Sequence, residues 1–83
     1  MSQRDLAHVL RSLWDRSGGK ADIPVAIADI DEDIGRGRGD MRTPLNLAAL
    51  ERQGLVGSPS DGAWALTAQG VARIVEDREL SDR

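Results

Sequence analysis

Two stretches of this chain carry side chains that could do chemistry. One is a glycine–arginine turn, Gly35-Arg36-Gly37-Arg38-Gly39, and the other is Arg42, Asn46, Ala49 and Gln53, spaced i, i+4, i+7 and i+11 so that they share one face of a helix. Arginine can pair two-pronged with guanine, and asparagine or glutamine with adenine, at the floor of the DNA major groove. Arginines on a turn ahead of such a helix could hold phosphates, which position a protein on duplex DNA without reading its sequence. The turn lacks the G-x-G-x-x-G spacing of a dinucleotide site and the Gly-Lys-Ser/Thr end of a phosphate loop, so nucleotide binding is not expected. Arg38-Gly39-Asp40 matches a cell-adhesion tripeptide, a match of three residues that chance supplies readily.

Other chemistries find little to work with. His8 is the single histidine and there is no cysteine, so neither a metal set nor a nucleophile with its base can be assembled from them. His8 is expected to be exposed and idle beside Arg4 and Arg11. Carboxylates are plentiful but fall on helix surfaces, and a chain of 83 residues offers little room for a deep pocket. No catalytic residues, metal or cofactor are therefore expected. No apolar run reaches the roughly 18 residues of a membrane span, and the opening residues lack the apolar stretch of a signal peptide. A cytoplasmic protein with no membrane partner is expected, and the alanine-rich, arginine-over-lysine composition leans toward a bacterial origin.

The elements that must position these residues can be read from periodicity. Leu6, Val9, Leu10, Leu13 and Trp14 make a core-facing stripe on a first helix, 3–17, with Ser2 and Asp5 at capping-box spacing and Gly18-Gly19 as its stop. Ile23, Ile27, Ile30 and Ile34 repeat at helical spacing, with Asp22 as a candidate N-cap and Pro24 tolerable only in a first turn, and the second helix is placed at 25–35. An alternative makes Ile23-Pro24-Val25 a short edge strand and begins the helix near Ala26. A third helix, 40–53, starts at Asp40 or at Thr43, with Pro44 tolerated in the first turn; Leu47 and Leu50 face the core, and Leu45 and Met41 lie at its margins. Strands at 55–66 flank the turn residues Ser58 to Gly62, with Trp64 packed inward. Thr67 caps a last helix, 67–79, whose stripe is Val71, Ile74 and Val75. Beyond Arg78 the end is expected to fray, although Leu80 could extend a dimer contact.

Charge is sorted along the chain although the net value is only −3. Residues 21–34 hold Asp22, Asp29, Asp31, Glu32 and Asp33 with no base, whereas residues 35–56 hold Arg36, Arg38, Arg42 and Arg52 against Asp40 and Glu51. Both runs could equally be ordinary solvated faces.

The segment from Ile30 to Ile74, and above all Leu50-Glu51-Arg52-Gln53-Gly54-Leu55-Val56 followed by Leu66-Thr67-Ala68-Gln69-Gly70, resembles the winged helix-turn-helix superfamily. Its MarR-type and PadR-type regulators and the winged helix of Mrr-like restriction proteins have similar pieces. The resemblance implies an α+β winged helix: one domain, a three-helix core, a β-hairpin wing and a C-terminal helix. It implies a recognition helix at 40–53 and sequence-specific binding of double-stranded DNA, as in a small prokaryotic transcriptional regulator. On that reading Arg42 and Asn46 touch bases, Gln53 is peripheral, Arg36 and Arg38 clamp phosphates, and Thr43 belongs to the same DNA-binding set.

Two departures work against it. MarR-type wings carry basic residues at the tip, and here no Lys or Arg occurs between Arg52 and Arg73. Such regulators also dimerise through long terminal helices that this chain lacks, which leaves a homodimer open. An acidic second helix would face phosphate unfavourably. The rival expectation is a winged helix that binds protein, using the acidic second helix or the uncharged wing.

Overall fold

The computed structural model describes residues 3–37 and 40–81, with side chains for 4–37 and 40–77. In chain order its elements are α1 (Gln3–Ser17), β1 (Val25–Ala26), α2 (Ile27–Asp33), α3 (Arg42–Arg52), β2 (Val56–Ser60), β3 (Ala63–Leu66) and α4 (Ala68–Ser81). The fold is mixed α+β: among the described residues, four helices accompany a three-stranded antiparallel sheet of order β1-β3-β2. Among the described residues, no helix is long and apolar enough to cross a membrane.

The apolar stripes meet in one core. Val9 and Leu13 of α1, Ile30 of α2, Leu47 and Leu50 of α3, and Val25, Leu55, Val56 and Leu66 at the sheet are buried together, with Trp14 and Trp64 packed against them. Each such side chain contributes about 1.5–3 kcal/mol by leaving water, which is how a chain this short sustains a fold.

The 25–35 segment divides into a strand and a helix, as in the alternative reading, but the strand is Val25–Ala26 in place of 23–25 and the helix begins at Ile27. Val25 pairs with Trp64 and Ala26 with Ala63, so these two residues extend the hairpin into a third strand. The first amide of α2, Ile27 N–H, then donates to the Gly62 carbonyl at 2.9 Å, seating the helix on the hairpin turn. This helix is shorter than expected, ending at Asp33. Strands β2 and β3 pair Val56 with Leu66 and Gly57 with Ala65, then slip between Gly57 and Ser60. Pro59, which has no N–H to give, sits in that slip on an edge strand, where its missing donor is harmless. The turn narrows to Asp61-Gly62, Ser58 to Ser60 being part of β2.

The two polar-looking motifs at the end of α3 and the start of α4 interlock. Gly54 adopts φ +77°, a conformation that side chains resist, and so lets Gly54 N–H reach the Glu51 carbonyl at 2.9 Å and Leu55 N–H the Leu50 carbonyl at 3.0 Å. These two bonds form a Schellman closure of α3. Thr67 joins both sides: its hydroxyl donates to the Gly54 carbonyl at 2.6 Å and accepts Gly70 N–H at 3.0 Å. Thr67 N–H donates to the Leu55 carbonyl at 3.1 Å, and the Gln69 amide donates to the Gln53 carbonyl at 3.3 Å. Gly70 lies so close to this corner that a Cβ there would run into the Leu55 carbonyl oxygen.

At the other end of the sequence, Asp5 of the expected capping box meets Arg36, while Ser2 lies outside the described residues. Helix α4 continues through Ser81, past the point at which fraying is expected. The Leu80 side chain and residues 82–83 lie outside what is described.

Candidate interaction face of the third helix

The face of α3 turned inward is set by Thr43, Asn46, Leu47 and Leu50, spaced i, i+3, i+4 and i+7. Two of the four are polar, and they meet the guanidinium of Arg36, whose side chain is only 7 % exposed. One arm nitrogen of Arg36 donates to Thr43 Oγ1 at 3.0 Å and to Asn46 Oδ1 at 2.8 Å. Thr43 Oγ1 in turn donates to Asp31 Oδ1 in a short hydrogen bond. The second arm of Arg36 lies 3.6 Å from Asp5 on α1, and its backbone N–H donates to the Asp31 carbonyl at 2.8 Å.

Asp31, 3 % exposed, is thus connected through a threonine hydroxyl to an arginine that also binds α1 and α3. Among the described residues, no buried side-chain nitrogen or oxygen lacks a hydrogen-bond partner. A fully satisfied buried network of this kind fixes the angle between α2 and α3, because any other angle strands a charge out of water.

The expected DNA-contact residues therefore separate. Asn46 is 2 % exposed and Thr43 is fully buried, and the Arg36 side chain faces the interior. Thr43 is not a helix cap either, since its hydroxyl is engaged with Asp31. Arg42 and Gln53 are exposed. Arg38 lies outside the described residues. The physical reason is angular: at about 100° per residue, Thr43 and Asn46 fall on the same side as Leu47 and Leu50, whereas Leu45 lies about 200° from Leu47.

Between its charged ends, the outer side of α3 is apolar, continuing Met41 just before the helix. Met41 is 71 % exposed and Leu45 57 %, one turn apart, with exposed Pro44 beside them and half-buried Ala48 and Ala49 continuing the strip. Met41 and Leu45, expected at the core margin, face away from it. Charged side chains stand at the ends. Arg42 is gripped by Asp40, and Glu51, Arg52 and Gln53 surround the C-terminal end.

Of the acids of the second helix, Asp31 is buried, while Asp29 and Asp33 stay partly solvated and are paired with α1. Asp33 accepts from Arg16 at two points, 2.8 Å each, and from the Ser12 hydroxyl at 2.7 Å, while Asp29 lies 3.6 Å from the same arginine. The Arg16 hydrogen bonds, helped by Ser12 and opposed by partial desolvation, hold the pKa of the Asp33 carboxyl at about 2. Of the acids expected on the outer face, Glu32 is exposed and Asp29 and Asp33 engage α1.

His8 is exposed, as expected, and among the described residues no group of three or more His, Asp or Glu side chains gathers as a metal site would require. No family model, no curated protein and no solved structure matches the chain.

Proposed function

We infer that this chain is a winged helix whose third helix docks on a protein partner. The order helix–strand–helix–helix–strand–strand–helix, with a hairpin whose inner strand pairs to the short strand before α2, supports the winged-helix reading. One observation carries the functional part: α3 turns its polar Thr43 and Asn46 into the core and leaves Leu45, and Met41 at its N-cap, in water. A base-reading helix needs the reverse. Burying two large apolar side chains against a partner would contribute about 1.5–3 kcal/mol each, a sizeable part of a transient interface.

Binding of duplex DNA in transcriptional control is the second reading, favoured by the exposure of Arg42, Arg52 and Gln53 along the same helix. It has fewer contacts to draw on than spacing alone suggests.

A photoreactive residue placed at position 45, and in a second variant at position 61 on the hairpin turn, separates the readings in living cells. Protein adducts at 45 that vanish with Met41→Asp are expected. Adducts to DNA alone, or protein adducts at 61 with none at 45, would overturn the assignment of α3.

A further inference from the structure

Arg42 and Arg52 are the exposed arginines of α3, one at each end, and the guanidinium of Arg42 is already engaged. Asp40 Oδ1 accepts Arg42 Nε at 3.0 Å and Oδ2 accepts an arm nitrogen at 2.7 Å, a side-on, two-point grip. Oδ1 also accepts the Arg42 backbone N–H at 2.9 Å, which pins the carboxylate to the start of the helix. The same fork of donors is what a phosphate would use.

We propose that Asp40 is an internal anion that occupies Arg42 and so turns phosphate polyanions away from the first turn of α3, leaving that end of the helix to its protein partner. The proposal rests on the protein-docking reading and names the residue that enforces it. Asp40 sits two residues away on the same chain, so no diffusing phosphate matches its local concentration. The hydrogen bonds from the Arg42 side chain and then its backbone hold the Asp40 carboxyl well below the usual carboxylate range, and it stays ionised throughout the neutral region. Arg36, the neighbouring arginine, is committed to Thr43, Asn46 and Asp5. Both described arginines of residues 35–42 are therefore neutralised from within.

The test is binding of a fluorescently labelled mixed-sequence DNA duplex to the wild type, Asp40→Asn and Asp40→Asn/Arg42→Gln across a salt series. Asparagine keeps an oxygen for the Arg42 N–H while removing the charge; Asp40→Ser serves the same purpose if the first variant melts early. Freeing one arginine should tighten binding at low salt by about threefold and steepen the slope of log K against log salt by about one. The double variant should return to the wild-type line. An Asp40→Asn slope and affinity equal to wild type, or a gain that survives Arg42→Gln, would overturn the role of Asp40. Should the wild type already bind duplex firmly at physiological salt while Asp40→Asn binds more tightly still, Asp40 keeps its role and the protein-docking reading falls.

Discussion

The junction of α3 with α4 and the junction of α2 with α3 are both built from polar residues and glycines, but they are held by different groups. At Gly54, Leu55, Thr67 and Gly70 every bond has a backbone atom at one end or both, with the Thr67 hydroxyl and the Gln69 amide as the side-chain members. At Asp31, Arg36, Thr43 and Asn46 the bonds run between side chains, across a buried carboxylate and a buried guanidinium. Backbone locks tolerate many side chains and fail when space is taken. Side-chain locks leave a charge stranded when one member is lost, and from sequence they look like a binding site.

The largest expected effect breaks the second junction. Arg36→Met keeps the length of the side chain but leaves Thr43 and Asn46 short of their donor and Asp5 without its partner, and should destabilise the fold by about 3 kcal/mol, measured by urea denaturation. If Arg36 instead served as an exposed clamp, the change would stay within about 0.5 kcal/mol. A double-mutant cycle with Asn46→Leu sharpens the point, since residues that share one network should be clearly non-additive.

The first junction should break through space. Gly70→Ala sets a methyl against the Leu55 carbonyl, and about 2–3 kcal/mol is expected from overpacking against backbone that cannot rotate away. Thr67→Val removes the cap and leaves Gly54 O and Gly70 N–H without their bridge, at about 1–2 kcal/mol in the same assay.

The smallest effect depends on pH. Asp33 titrates near 2 in the folded chain against 3.8 unfolded, so the stability it adds is complete above about pH 4 and is lost as pH falls from 3.8 toward 2. Because the pair with Arg16 is partly solvated, about 1 kcal/mol is expected. Asp33→Asn should flatten that part of the acid-denaturation profile; an unchanged profile would place the acid sensitivity elsewhere.

Much of the architecture is legible in the sequence because it follows from spacing. The α1 stripe from Leu6 to Trp14, the stop at Gly18-Gly19 and the Thr67 cap are local patterns that lie where spacing puts them, and the hairpin is where expected with a shorter turn. The face of α3 is not, for a reason that can be stated. Leucines read as inward and polar residues as outward, yet Leu45 and Leu47 are two residues apart and cannot share a side, and Asn46 lies next to Leu47 on the buried face. Spacing alone therefore holds a warning. It cannot reveal that Arg36, ten residues before Asn46, folds back to satisfy it, because that contact depends on the angle between α2 and α3. The alternating acids of α2 pose the same difficulty: Asp31 is inside, Asp33 reaches α1 and Glu32 faces water.

The most direct test of the inward-facing cluster is an amide and side-chain chemical-shift titration of the labelled wild-type protein with a mixed-sequence DNA duplex at low and at physiological salt. The account predicts that the Asn46 side-chain amide and the backbone amides of Arg36 and Thr43 stay in place, with at most weak shifts at Arg42, Arg52 and Gln53 that vanish at physiological salt. Shifts centred on Arg36, Thr43 and Asn46 that persist at physiological salt would contradict it, and would mean that the cluster opens to meet DNA.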